Sequence, residues 1–278
     1  MKKIGIIGQG FVGTAVREGM KNHYEVLCYD KDGSKYSNSS LEEIANSTEV
    51  SFMCLPTPMR KDGSCDIRII ESALQDLESK LNKNFTVILK STVTPGTTDR
   101  LNKLFNKIKI VFNPEFLTEA ASIEDYKNQT RIIIGGDRPE STKIKQIFEK
   151  AFPTIPIIKT SPLIAETIKY VTNCFLATKI SFANEIYQLC KALNIDYDKV
   201  IEYSKYDTRL GNSHWSVPGP DGDFGFGGHC FPKDIEALRF LAKELSVDST
   251  VLDAVIAKNF MVRTDKDWEK QIGRAVSE

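Results

Sequence analysis

Residues 3–8 form a short β-branched apolar run that ends in Gly8-Gln9-Gly10-Phe11-Val12-Gly13, and residues 12–21 then take up helical spacing. A strand, a glycine turn and a helix in immediate succession leave the chain few options. The first glycine permits the tight turn, the second lets a phosphate approach the backbone, and the third lets the helix pack on the strand. The helix start adds N–H groups and a positive dipole end. A second apolar run closes on Asp30, 17 residues past Gly13, where a carboxylate accepts from both hydroxyls of an adenosine ribose. A 2′-phosphate there meets like charge, so the turn reads as a dinucleotide site preferring NAD to NADP, although Lys31 and Lys35 are nearby cations that would face a phosphate.

Further short apolar runs at 50–55, 85–90, 108–112, 131–134 and 155–158 alternate with helical patterns at 67–81, 97–105 and 140–151. The alternation predicts an α/β fold: a Rossmann-type, doubly wound, mostly parallel sheet over residues 1–160. From Leu163 to about Leu193 runs one long helical pattern without proline or glycine. A Gly/Pro/Asp-rich loop at 206–229 and helices at 233–245 and 250–260 follow. Residues 161–278 are therefore expected to form an all-helical domain around a long central helix, a helix suited to joining two chains as a homodimer.

Lys+Arg and Asp+Glu both number 37, which gives no electrostatic reason to expect nucleic acid or a membrane as partner. The N-terminus lacks the pattern of a signal peptide, and no run is long enough to span a bilayer. Cys28, Cys54, Cys65, Cys174, Cys190 and Cys230 form no CxxC pair, and the three histidines are dispersed. The expectation is a reducing cytoplasm and no metal.

Four further segments bear chemistry. Lys90-Ser91-Thr92-Val93-Thr94-Pro95-Gly96-Thr97 follows a strand, which places hydroxyls at the carboxyl edge of the sheet, although alone it reads equally as a turn capping a helix at Thr97. Asn113-Pro114-Glu115-Phe116-Leu117-Thr118-Glu119 puts two carboxylates four apart at that edge, as proton carriers or as solvated loop acids. Lys169 and Asn173 share a helix face, as oxyanion donors or as a polar stripe. Gly225-Phe226-Gly227-Gly228-His229-Cys230-Phe231-Pro232-Lys233-Asp234 opens an approach to one thiol at a helix start, where the dipole favours thiolate, with Asp234 a turn later to orient a water.

Taken together, these motifs and Leu55-Pro56-Thr57-Pro58 resemble the UDP-glucose/GDP-mannose dehydrogenase family, from Lys3 to about Asn259, and most closely its UDP-glucose branch. The resemblance implies a four-electron oxidation of a nucleotide sugar by two NAD molecules in turn. Cys230 forms a thiohemiacetal and then a thioester, Lys169 and Asn173 hold the oxyanion, and Thr92, Glu119 and Asp234 serve water and protons. It also implies a cofactor set of Gly8, Gly10, Phe11, Val12, Gly13, Asp30, Lys35, Thr57 and Thr92. The implied substrate set is Phe116, Leu117, Glu119, Lys169, Asn173 and Gly227.

Two departures qualify the expectation. Members usually carry a third, C-terminal domain that closes on the nucleotide; none is expected here, so either the nucleotide is held differently or a neighbouring subunit or a separate partner supplies that wall. The loop from Pro218 to Gly228 is four residues longer than the common pattern, and the extra residues are expected to replace part of the closure. Two alternatives stay open: a two-electron β-hydroxyacid-type dehydrogenase, which also has a Lys-x-x-x-Asn pair, and a non-catalytic NAD-binding protein.

Overall fold

The computed structural model describes residues 2–278. The chain divides into two compact units: the first runs to Thr57 and resumes over Ile67–Lys169, and the second comprises Pro58–Asp66 and Tyr170–Glu278.

The first unit is a seven-stranded sheet in the order β2-β1-β3-β4-β5-β6-β7. The strands are β1 (Lys3–Ile7), β2 (Glu25–Tyr29), β3 (Val50–Met53), β4 (Phe85–Leu89), β5 (Ile108–Phe112), β6 (Ile132–Gly135) and β7 (Ile157–Thr160). The helices are α1 (Phe11–Met20), α2 (Leu41–Ser47), α3 (Arg68–Lys80), α4 (Thr97–Leu104), α5 (Ser122–Lys127) and α6 (Glu140–Ala151). Helices on both faces explain why the inner strands show no alternation of buried and exposed positions: β3, β4 and β6 are buried at every position. Ile4, Ile6, Val50, Phe52, Ile88 and Val111 meet Met20, Ile144 and Phe148 in one core.

All neighbouring strands pair parallel except β5 and β6, which meet antiparallel at Phe112 and Gly135. The β6 strand therefore starts at the edge where β5 ends and needs no crossover helix. The chain moves outward from β1 to β2 and returns on the other side as β3, creating the switch point at which doubly wound sheets bind ligands. The loops after β1, β4 and β5 share that carboxyl edge.

Helix α7 (Pro162–Ala192) has 31 residues, of which those up to Lys169 belong to the first unit and those from Tyr170 to the second. With it, α8 (Tyr197–Ser204), α9 (Phe231–Glu244) and α10 (Thr250–Val262) build the second unit. Its core has two clusters: one joins Tyr170, Cys174 and Ala177 to Phe226, Ile235 and Val255, the other joins Ala183 and Cys190 to Tyr197, Trp215 and Val217. Among the described residues, no helix is long and apolar enough to cross a membrane.

Three short helices, α2, α5 and α8, of 7, 6 and 8 residues, lie outside the helical patterns read from the sequence. The expected cap at Thr97 is also corrected. Gly96 occupies the cap position at φ +94°, and the Thr97 hydroxyl meets that of Thr94. The α4 amides turn instead to a distant carboxylate. Glu166, in the first turns of α7, is fully buried and accepts from Gly96 N at 2.6 Å and Thr98 N at 2.7 Å. Burial raises its pKa, and these hydrogen bonds work against the rise.

Replacing Glu166 by alanine leaves two amides without their acceptor, so Glu166→Ala is expected to lose about 3 kcal/mol in urea unfolding. Glu166→Gln, which keeps one oxygen, is expected to lose less than half of that. Equal stability of Glu166→Ala and wild type would show that the cap contributes nothing.

Candidate active site

At the glycine turn the steric logic is visible atom by atom. Gly8 sits at φ +92°, and a Cβ at Gly13 would lie 1.9 Å from the Gly8 carbonyl oxygen, so no side chain fits there. Around Gly10 the space is open: a Cβ would meet nothing within 4 Å. Gly10 caps α1 without a side-chain hydrogen bond, and the first turn of α1 has no acidic residue. Open backbone at a helix N-terminus fits an incoming pyrophosphate. The Asp30 carboxylate accepts from Gln9 N at 2.6 Å and from Asp32 N at 2.9 Å, which fixes it against the turn where a ribose would lie. Lys35 is exposed and lends its charge to Asp32. Phe11 and Val12 are half-buried at the start of α1, and the Thr57 hydroxyl donates to Thr92 O at 2.7 Å.

The loops after β4 and β5 carry a second group. Lys90 is buried and donates to Asn113 Oδ1 at 2.8 Å and Pro114 O at 3.4 Å. Burial brings its pKa down to about 8 against the opposing pull of Cys54 and Glu115. The Lys169 ammonium donates to the Glu115 carbonyl at 2.5 Å and to Glu115 Oε1 at 3.1 Å. Burial alone would raise the Glu115 pKa, but the Lys169 charge, the Leu117 amide and Lys90 reverse this and hold it below the ordinary value. Glu115 is thus an ionised, buried carboxylate, whereas Glu119 is exposed. The sequence offers both carboxylates of this motif as proton carriers, and the family resemblance implies a role for Glu119 alone.

Phe116 and Leu117 are half-buried. Arg131 stacks on the Phe116 ring at 4.5 Å, and Leu117 N donates to Glu115 Oε2 at 2.8 Å. Beside them a cavity of about 380 Å³ is lined by Phe116, Leu117, Tyr126 and Arg131, with Lys90 and Glu115. Thr92 is buried at the same edge.

The second unit carries the thiol. Cys230 is half-buried and caps α9, with Pro232 in the first turn, as the sequence suggested. Asp234 is buried and its carboxylate is divided: Oδ1 pairs with the Lys233 ammonium, and Oδ2 accepts from Asn173 Nδ2 at 2.6 Å. Burial would lower the Lys233 pKa, but Asp234, Cys230 and Cys65 raise it above the ordinary value. With both oxygens engaged, Asp234 holds Asn173 in place more directly than it orients a water. Burial pushes other thiols upward, Cys28 to about 11 and Cys54 to about 12, with Cys174 raised as well. The glycines before Cys230 do more than clear a path. A Cβ at Gly225 would lie 2.2 Å from Asn259 Oδ1 and one at Gly227 2.1 Å from the Arg263 guanidinium, while Gly228, at φ +69°, faces open space. Among the described residues, no group of His, Cys, Asp or Glu is placed to hold a metal ion.

The two glycines of the turn separate binding from folding. Gly10→Ala is expected to keep its unfolding free energy within about 0.5 kcal/mol and to bind NAD about tenfold more weakly by titration calorimetry. Gly13→Ala is expected to lose stability outright. Unchanged NAD affinity in Gly10→Ala would remove the pyrophosphate from this turn.

Residues 35–152 match the NAD binding domain of the UDP-glucose/GDP-mannose dehydrogenase family, and residues 164–260 match its central domain. A Bacillus subtilis protein named putative UDP-glucose 6-dehydrogenase YtcA is 33% identical over 91% of this chain, which spans 66% of that protein's length. UDP-glucose 6-dehydrogenase TuaD of the same organism is 31% identical over 93% of this chain, which spans 63% of its length. The solved structure of a UDP-glucose dehydrogenase from Pyrobaculum islandicum superposes with a TM-score of 0.83 at 29% identity, covering 94% of this chain and 68% of that one. With both matched domains in order along the chain and the glycine turn, Lys169, Asn173 and the Cys230 loop in place, this chain belongs to the UDP-glucose/GDP-mannose dehydrogenase family.

Proposed function

We propose that the chain oxidises the C6 primary alcohol of a nucleotide sugar, UDP-glucose being the favoured substrate, to a carboxylate through a thioester on Cys230. The observation that carries the reading is the setting of that thiol: it stands at the N-terminus of α9 behind a glycine run, in a unit where Lys233, Asp234 and Asn173 form a buried polar chain. The names borne by relatives favour UDP-glucose.

The 8–13 turn and Asp30 would hold NAD, which would supply the hydride acceptor for each of two successive oxidations. The remaining work falls to the chain. The C6 hydroxyl proton passes to a water served by Thr92 and Glu119 as the alcohol becomes an aldehyde. The Cys230 thiolate adds to the aldehyde carbon, forming a C–S bond and an alkoxide that the Lys169 ammonium and the Asn173 amide stabilise. An ammonium has three N–H donors; two of those of Lys169 are engaged by Glu115, which leaves one to direct at an oxyanion. Loss of the second hydride leaves a thioester. Water then attacks its carbonyl, the C–S bond breaks, and the thiolate departs. The proton of the water goes to the exposed carboxylate of Glu119, while Asp234 keeps Asn173 aligned.

With limiting UDP-glucose, two NADH per sugar are expected, and Cys230→Ser is expected to abolish net turnover while retaining NAD binding. One NADH per sugar in the wild type would favour a two-electron dehydrogenase. Binding of NAD without turnover of any nucleotide sugar would favour a non-catalytic role.

The later part of α7 presents Val171, Phe175, Phe182 and Leu189 to solvent, each more than half exposed, at spacings of four, seven and seven residues. That is the period of a helix seam, and a two-fold axis makes such a seam self-complementary. We infer a homodimer through this face. Light scattering at micromolar concentration should give twice the chain mass, and Val171→Glu with Phe175→Glu should halve it; a monomeric wild type would refute the seam.

A further inference from the structure

The glycine run ahead of Cys230 is fastened by residues far along the chain. Arg263 follows α10 and lies beyond residue 260, where the central-domain match ends. Its side chain is 4% exposed, and Nη2 meets Asp221 Oδ2 at 2.8 Å and Asp267 Oδ1 at 3.0 Å. The other oxygen of Asp267 accepts from Gly228 N at 2.8 Å, two residues before the thiol. The guanidinium also occupies the space that a Cβ at Gly227 would need. Upstream, Asn259 pairs with both backbone groups of Phe226 at 2.7 and 2.9 Å, and Asn184 Oδ1 accepts from Gly225 N at 3.2 Å.

Asp221 belongs to the stretch by which this loop exceeds the common length. Its turn closes through Gly222 N to Gly219 O at 2.9 Å, and the neighbouring Asp223 meets Thr264 and Asp265 N at 3.3 Å. The carboxylates of this stretch are engaged by residues 263–265 of the same unit.

We propose that Arg263 is a positioning residue for Cys230, using Asp221 and Asp267 as the two arms of a clamp that holds the glycine run so that the thiol stays at the N-terminus of α9. The clamp takes its catalytic meaning from the reading of Cys230 as nucleophile. A buried guanidinium must keep its carboxylates, since an unpaired buried charge is severely destabilising. A helix dipole stabilises thiolate only within its first turn, so releasing Gly228 weakens that stabilisation.

The test is alkylation of Cys230 by iodoacetamide, resolved by mass spectrometry and followed across pH, with Cys65 as reference, in Asp267→Asn and Asp221→Ala. Lys233 and Asp234 on α9, Cys65 from the 58–66 segment, and His229 beside the thiol are unchanged in both variants. At neutral pH, Cys230 in Asp267→Asn should react about fivefold more slowly, with its midpoint moved upward and Cys65 unaffected. Asp221 is half-exposed, so Asp221→Ala decides the matter if Asp267→Asn does not fold, and should move in the same direction by less. A wild-type Cys230 profile in a folded variant, or equal shifts at Cys230 and Cys65, would overturn the clamp. The measurement needs neither NAD nor sugar. Should Cys230→Ser retain turnover, the thioester reading fails while the effect of the clamp on the thiol remains measurable.

Discussion

The buried pair of Lys169 and Glu115 is the interaction on which the ligand-binding edge of the first unit depends. Neither charge is tolerable alone at that depth; breaking such a pair typically costs about 3–5 kcal/mol. Together they settle several neighbours. Glu115 receives Lys169 on its carbonyl and Oε1 and receives the Leu117 amide on Oε2, so the Phe116-Leu117 backbone inherits its orientation from the pair. Lys90 fixes the preceding residues through Asn113 and Pro114, and Glu166, one turn before Lys169, closes the start of α4. A substitution at Lys169 thus disturbs Glu115 and the Phe116-Leu117 backbone as well as any oxyanion contact, and lost activity alone does not assign Lys169 to the oxyanion.

The second unit applies the same rule to a different end. Asp234 satisfies Lys233 with one oxygen and Asn173 with the other, which makes a buried carboxylate tolerable and aims an amide. Environment rather than residue type then sets Cys230 apart from the other thiols. Cys28, Cys54 and Cys174 are disfavoured as thiolates by burial, whereas Cys230 caps a helix beside a lysine whose raised pKa partly reflects that thiol.

Local patterns in the sequence were read reliably; distant partners were not. The limits of β5 and α6 follow directly from their apolar periods, and the steric demands at Gly8 and Gly13 from their spacing, because each depends on contacts within one strand–turn–helix unit. Glu115 and Glu119 differ by one turn of loop path, and only the folded loop decides which carboxylate is buried. Thr97 carries a capping side chain, yet Glu166, some 70 positions away, does the capping. Nothing near Asp234 in sequence reveals that Asn173, 61 positions away, donates to its carboxylate.

The glycine loop shows why that boundary falls where it does. Glycine loses more backbone freedom on ordering than any other residue, so a run of glycines is a poor way to hold a thiol still. Residues 225, 226 and 228 are held nonetheless, their amides met by Asn184, Asn259 and Asp267 from three separate segments. Residues 263–277 are part of the packed unit in their own right: Trp268 and Ala275 are buried, and Met59 exchanges backbone hydrogen bonds at 2.8 Å with Ala275 and Ser277. The small residues that keep the approach to Cys230 open are the same ones that cannot order themselves, so the precision of the thiol has to come from side chains remote in sequence, and its loss from substitutions that never touch it.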